Sequence, residues 1–264
     1  MPELPEVQTI VASLRPVLVG RTIVDCSCRQ PKAVNLPLPE FRARVRQPVT
    51  EVTRSGKSIE CRLVDGSLWL HLGVSGLLLF DPPGAPPARA DPMLGFVLDD
   101  GSRLRLERAF MGSAHYLSPA ESDARRARVG VDPLGSEWTP DWLSALARRR
   151  ASAGLKALLS DQAVVAGIGN SYSDEVLFAG RLLPDRKIGS LSPDELARLH
   201  LAVRQVLEAS LALGGDNSYA DVHGTPGLYE TAIHHRETCT VCGGRVARGG
   251  PDGKGAYFCP NCQH

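Results

Sequence analysis

The chain is expected to be an α+β multidomain protein. An N-terminal antiparallel β-sandwich with flanking helices precedes a helical domain that ends in a cysteine-bound β-hairpin. Three observations predict this: short β-rich runs separated by turns up to about residue 130, long amphipathic stretches after it, and four cysteines near the end. In chain order, Val7, Ile10, Val11 and Leu14 recur at helical spacing, and Gly20 stops that first helix. Strand-like runs follow at Thr22-Ile23-Val24, Ser58 to Val64, Leu68 to Leu72, Leu77 to Phe80, Phe96 to Leu98 and Leu104 to Leu106. The Asp81-to-Asp91 stretch, with four prolines, reads as a loop between strands, and Val131 to Glu137 as a linker. Thr139-Pro140 supplies an N-cap and an N1 proline. Leu155 to Leu159 and Ser171 to Ala179 form two helices around a glycine-containing turn, a helix-turn-helix-like element whose backbone N–H groups can hold phosphate. Ser192-Pro193-Asp194-Glu195 is a capping box that opens a long helix to about Leu213, with Gly214-Gly215 as its stop. The expected domains are residues 1–130, 131–235 and 236–264.

Composition narrows the function classes. An apolar fraction of 43% and a charged fraction of 22% in 264 residues suit a globular protein with room for more than one core. No apolar run is long enough for a membrane span, and the acidic N-terminus is unlike a signal peptide, so a cytoplasmic protein is expected. The net charge of +1 announces no nucleic-acid partner, so any such surface must be built locally. Two nucleotide-binding readings fail. Gly56-Lys57-Ser58 resembles the tail of a P-loop, but Glu51 stands where the first glycine is required and no helix follows. Gly167-Ile168-Gly169 lacks the third glycine of a dinucleotide fingerprint.

Two clusters carry chemistry. Removal of Met1, which a small second residue permits, leaves a secondary amine on Pro2. An α-amino group titrates near 7.7–8.0, so part of it is an unprotonated nucleophile at neutral pH. Glu3 stands close enough in sequence to handle the accompanying protons. A retained Met1 would turn the same nitrogen into an unreactive amide. At the far end, Cys239, Cys242, Cys259 and Cys262 form C-x2-C-x16-C-x2-C around a glycine-rich turn. This spacing lets two knuckles present four thiolates to one structural Zn²⁺; two disulfides are the alternative, disfavoured in a reducing compartment. Cys26, Cys28 and Cys61 are expected to be free thiols.

Taken in order, Pro2-Glu3-Leu4-Pro5-Glu6, Arg54-Ser55-Gly56-Lys57, His71-Leu72-Gly73-Val74-Ser75-Gly76, Asp161-Gln162 through Asn170, and the four-cysteine finger with Tyr257-Phe258-Cys259-Pro260 form a recognisable set. Over nearly its full length the chain resembles the formamidopyrimidine-DNA glycosylase/endonuclease VIII family, nearer the first branch by its N-terminus. The resemblance implies a helix-two-turn-helix domain, a zinc finger and a bacterial-type, nucleoid-associated base-excision repair enzyme acting as a monomer on double-stranded DNA. It implies flipping of a damaged nucleotide into a pocket. The Pro2 amine would displace the base, Glu3 would shuttle protons, and β- then δ-elimination would cut the strand. Lys57 matches the family's catalytic lysine beside the damaged sugar and its phosphate. Asn170 matches its phosphate-binding asparagine, with His71 and Lys156 as further phosphate contacts.

The chain departs from the family pattern at several positions. Lys254 stands where the family has the arginine of the finger turn, keeping charge but losing the two-pronged phosphate grip. Val74 and Leu77 replace a usual methionine and arginine, and a histidine before the strand at Phe96 has become Asp91 or Met93. The void-filling loop reads Glu107-Arg108-Ala109-Phe110-Met111-Gly112, which makes Arg108 and either Phe110 or Met111 the expected probe and wedge, against a merely repacked loop. The Asp216-to-Glu237 stretch is shorter than a lesion-covering loop and ends in His234-His235-Arg236, expected to face the surface or DNA. The resemblance implies an oxidised or ring-opened purine as the substrate, and these changes point to a lesion preference different from 8-oxoguanine, for a bulkier or atypical base. Two readings remain: a glycosylase with abasic-site lyase activity, or a zinc-finger relative that binds abasic or distorted DNA without cutting. Pro2, Glu3 and Lys57 together favour the enzyme.

Overall fold

The structure, a computed structural model, describes residues 1–86, 92–249 and 255–264. They form two compact units, one of Met1–Arg128 with Leu213–Leu228, the other of Val129–Ala212 with Tyr229–His264. These limits differ from the sequence-based ones in two ways. Residues 213–228 pack with the first unit: Val222 is fully buried in its core, donates from its N–H to Ser13 Oγ at 3.3 Å, and accepts from Phe80 N–H at 2.8 Å. The cysteine hairpin is part of the second unit, sharing a small apolar cluster with Phe178 and Ile233.

In the first unit, α1 (Leu4–Leu18) buries the face carrying Val7, Ile10, Val11 and Leu14, and Gly20 follows its end at φ +85°. The strands are β1 (Ile23–Cys28), β2 (Val49–Ser55), β3 (Ser58–Leu63), β4 (Ser67–His71), β5 (Leu77–Asp81), β6 (Leu94–Leu98), β7 (Arg103–Glu107) and β8 (Ser113–Leu117). They make two antiparallel four-stranded sheets, ordered β1-β6-β7-β5 and β2-β3-β4-β8, with their apolar faces in a single core. Helices α2 (Leu38–Val45) and α3 (Pro119–Arg126) flank them. The polar strands β2 and β8 were not read from sequence, because what makes them strands is pairing with β3 and β4.

The second unit holds α4 (Pro140–Arg149), α5 (Leu155–Ser160), α6 (Asn170–Ala179), α7 (Pro193–Ala212) and the hairpin strands β9 (Ala247–Gly249) and β10 (Ala256–Phe258). The caps form where expected. Thr139 Oγ1 accepts from Trp142 N–H at 3.1 Å, Ser192 N–H donates to Glu195 at 2.8 Å, and Glu195 N–H donates back to Ser192 Oγ at 3.2 Å. Among the described residues no helix is long and apolar enough to cross a membrane.

A buried carboxylate on α6 organises the approach to the hairpin. Glu175, 2% exposed, accepts from the N–H groups of Ala232, Ile233 and His234 at 2.6, 3.0 and 2.9 Å. Burial nevertheless pushes its carboxyl above the usual range, with the three N–H donors pulling the other way. Glu175→Ala would leave those three donors without an acceptor and is expected to destabilise the protein by about 3 kcal/mol or more. Glu175→Gln, which keeps a carbonyl oxygen there, is expected to lose less. Thermal unfolding of both variants checks this, and an unchanged melting temperature for the alanine variant would refute it.

Candidate active site, nucleic-acid contacts and metal centre

The N-terminus is tied into the first unit by one side chain. Glu6, 2% exposed, accepts the Glu3 N–H on one oxygen at 2.8 Å and the Asp216 N–H on the other at 2.9 Å. Pro2 and Glu3 are thereby buried at the start of α1, in a chain end that is ordinarily frayed. The Met1 ammonium donates to Tyr219 Oη at 2.5 Å. Its pKa falls below that of a free α-amine, chiefly through burial and secondarily through Lys57, against the opposing pull of Glu3, Glu6 and Asp216. Tyr219 is held firmly in its phenol form by burial and by the charges of Glu6, Asp216 and Glu3. Neither Glu6 nor Tyr219 was singled out from sequence. Glu6 reads locally as a first-turn acid, and Tyr219 lies 218 residues from the amine it meets.

Lys57 occupies the two-residue turn between β2 and β3, whose first position, Gly56, has φ +56°. A positive φ at that position matches the twist of an antiparallel hairpin and favours glycine. His71 ends β4, and its Nδ1 accepts the Gly73 N–H at 3.2 Å, which leaves Nε2 to donate from the neutral ring. Burial, then Arg125, Lys57, the N-terminus and His115, lower its pKa. Lys57, His71 and the N-terminal amine thus share one electrostatic neighbourhood.

The expected probe loop is strained and exposed. Arg108 and Met111 have φ of +49° and +61°, and Phe110 and Met111 are 73% and 70% exposed. The loop is fixed at its base, where Val74 N–H donates to Phe110 O at 2.7 Å. A Cβ on Gly73 would lie 2.2 Å from Phe110 O, so that approach requires glycine.

In the second unit, Asn170 is exposed at the first residue of α6. The preceding turn is built by Gln162, which accepts Gly167 N–H at 2.9 Å and donates to Ile168 O and Ser160 O at 2.6 and 3.0 Å. Gly167 N–H, expected among the phosphate donors, is therefore committed within the turn. Lys156, expected as a phosphate contact, is 8% exposed and pairs with Asp174 at 2.5 Å. Asp174, fully buried, also accepts from His234 Nδ1 at 2.7 Å. A fully buried carboxylate requires hydrogen-bonding or charged partners, and adjacent Asp174 and Glu175 are two such buried acids. His234 is thus an interior partner of Asp174 rather than a surface group, while His235 is exposed with its Nδ1 2.7 Å from Tyr257 Oη.

Cys239, Cys242, Cys259 and Cys262 bring their sulfurs within 4.8 Å of one another. The Cys239–Cys262 and Cys242–Cys259 separations of 3.9 and 3.5 Å exclude disulfides and match the edges of a tetrahedron around a metal ion. Gly244 N–H points at Cys242 Sγ at 3.4 Å, a donor suited to a thiolate. Cys26, Cys28 and Cys61 are free. Lys254 and Asp91 lie outside the described residues.

The comparisons with known proteins identify the family. The family model of the formamidopyrimidine-DNA glycosylase N-terminal domain matches residues 1–110, and that of the formamidopyrimidine-DNA glycosylase H2TH domain matches residues 129–221. The formamidopyrimidine-DNA glycosylase of Symbiobacterium thermophilum is 39% identical over all of this chain and 89% of its own length. That of Halorhodospira halophila is 38% identical over the whole of both chains. A solved complex of Lactococcus lactis Fpg with DNA containing an abasic site superposes over 99% of each chain with a TM-score of 0.89 at 24% identity, a likeness of fold. With both family domains matched in order and relatives of this identity along its entire length, the chain belongs to the formamidopyrimidine-DNA glycosylase family.

Proposed function

We propose that this protein is a bifunctional DNA glycosylase and abasic-site lyase of base excision repair, acting on double-stranded DNA that carries an oxidised or ring-opened purine or an abasic site. The observation that carries this reading is the Glu6-anchored N-terminus, which holds Pro2 buried at the start of α1 with the charge of Lys57 in reach of this chain end. Removal of Met1 frees the Pro2 nitrogen. That secondary amine attacks C1′ of the damaged nucleotide, and the base departs with the electrons of the glycosidic bond and a proton. Opening of the sugar leaves an iminium linking Pro2 to C1′. Glu3 moves protons at the sugar oxygen and the amine. The iminium acidifies C2′, whose deprotonation expels the 3′ phosphate; a second elimination expels the 5′ phosphate, and water releases the enzyme. Lys57 stabilises phosphate charge beside the reacting sugar, with His71 and Asn170 as further phosphate contacts. Arg108 with Phe110 or Met111 fills the vacated stack. Lys254 is assigned to the phosphates around the lesion from its position in the finger. The four cysteines hold one structural zinc ion, which keeps the hairpin folded. Such an enzyme works in the cytoplasm, at the nucleoid.

Borohydride trapping on duplexes with an abasic site or 8-oxoguanine tests the reading, with mass spectrometry confirming loss of Met1. A covalent adduct mapped to the N-terminal residue is expected. Pro2→Gly should reduce trapping roughly tenfold or more, and Lys57→Ala should slow excision about 10²-fold. Protein that binds abasic DNA through a free Pro2 without forming an adduct would sink the lyase mechanism and leave a non-cutting binder.

The trapping rate is expected to rise with pH as the Pro2 amine deprotonates, with a midpoint that the positive charge of Lys57 near this chain end lowers by disfavouring the ammonium. Removing the lysine charge in Lys57→Ala should move the midpoint upward, whatever its effect on the maximal rate. A downward or absent shift would separate Lys57 from the amine.

Elemental analysis should find one zinc per chain. Chelation, or Cys242→Ser, should lower the melting temperature and abolish DNA binding. Full binding by metal-free protein would remove the zinc assignment.

A further inference from the structure

The outer face of the sheet β2-β3-β4-β8 carries cationic groups that the proposed chemistry does not use. The pairing register places Ser58, His71 and Ser113 in one cross-strand row and Glu60, Trp69 and His115 in the next. Residues directly opposite one another share a face, and rows two residues apart are separated by about 6.8 Å. Arg125, from α3, lies across both rows. Its guanidinium sits over the Trp69 ring at 4.5 Å from the centroid and donates to Ser58 Oγ at 3.4 Å. Trp69 is itself fixed from the other end, donating from Nε1 to Ser122 Oγ at 3.3 Å.

Among the described residues Arg125 makes no ion pair. Of the acids that the register puts on this face, Glu51 pairs with Arg62, and Glu60, 1% exposed, is engaged by Arg126 and by Ser67 Oγ. Arg62 approaches the same carboxylate from the other side at 3.8 Å. Glu60 is thus satisfied by other partners, whereas Arg125 is a half-buried guanidinium that feels the charge of Glu60 but has no carboxylate within ion-pairing distance among the described residues, and burial lowers its pKa. His71 and His115 both feel its charge, and each is driven toward its neutral form by burial first and by Arg125 next. One guanidinium without an ion pair, its planar fork pre-oriented by an aromatic ring and flanked by two neutral imidazoles, suits one ligand chemistry above others: a phosphodiester oxygen pair.

We propose that Arg125 and His115, on the rows that continue from His71, form a second phosphate subsite for the DNA backbone, one step along the strand from the phosphate held by Lys57 and His71. The subsite rests on the DNA-repair reading above. It extends the backbone track over the outer sheet face, and the row spacing is comparable to the separation of successive phosphates on one strand. Its contacts are to the backbone and carry no base preference, so they would strengthen binding to damaged and undamaged duplexes alike.

Binding to a duplex carrying an uncleavable tetrahydrofuran site, measured by fluorescence anisotropy between about 50 and 200 mM salt, tests it. Loss of one phosphate contact lowers the slope of log K against log salt by about 0.9. Arg125→Gln should show that lower slope and several-fold weaker binding at low salt. Arg125→Lys, which gives up the ring-matched fork but keeps the charge, should keep the slope. His115→Leu should weaken binding at an unchanged slope, because the neutral ring contributes a donor and no charge. A purely structural role for Arg125, as a clasp between α3 and Trp69, would alter the melting temperature of both arginine variants and leave the slope alone. That result, with wild-type protein binding normally, overturns the subsite. Failure of the wild-type protein to bind the duplex would instead overturn the DNA-repair reading, and the subsite with it.

Discussion

The placement of the proposed nucleophile in the first unit depends on the buried carboxylate of Glu6. A chain terminus is the part of a protein with the least to hold it, yet a nucleophile must be held to within a fraction of an ångström. Glu6 resolves this by accepting two backbone N–H groups that lie 213 residues apart, those of Glu3 and Asp216. The first bond closes the opening turn of α1, and the second pins the turn after Gly214-Gly215 against the same helix. Gly215 has φ +92°, and a Cβ there would come within 3.0 Å of Glu6 itself, so the close approach and the backbone conformation are both glycine's. Tyr219, carried on that pinned turn, is what meets the N-terminal amine.

The second unit solves the complementary problem with two neighbouring acids. Asp174 and Glu175 are adjacent on α6 and buried, but they are satisfied in different ways: Asp174 by the Lys156 ammonium and a His234 ring nitrogen, Glu175 by three backbone donors. Each arrangement offsets part of the cost of a buried charge. Together they join α5, α6 and the segment leading into the first cysteine knuckle, so the metal hairpin is built onto the helices rather than appended to them.

The features legible in the sequence are those whose signal is local. Helix caps at Thr139 and Ser192, the glycine stop after α1, the alternating strands and the paired cysteine knuckles all declare themselves within a few residues, and the motif set from Pro2 to Asn170 identified the family. What sequence could not supply was long-range. Strand β2, with Thr50, Glu51 and Arg54 in it, is a strand because β3 offers it a ladder. Residues 213–228 pack with the first unit through Val222, one apolar residue in a polar stretch. Lys156 and His234 have the composition of surface groups, and only the buried acid at Asp174 turns them inward. Nothing near Lys156 in the chain reveals that acid, because it lies on the next helix.

The turn before α6 has a consequence for the energetics of recognition. Gln162 holds it with three hydrogen bonds to backbone atoms at Ser160, Gly167 and Ile168, and the turn residues from Val164 to Gly169 are buried. The loop that presents Asn170 is therefore shaped by its own chain in the free protein. A loop ordered only by its ligand would surrender conformational entropy at each encounter, and part of every contact made would be consumed in ordering it. Here that entropy is lost once, during folding. A repair protein that must sample long stretches of intact duplex meets each new position with the same rigid surface, so the strength of its hold reports the shape and flexibility of the DNA rather than its own readiness to fold around it.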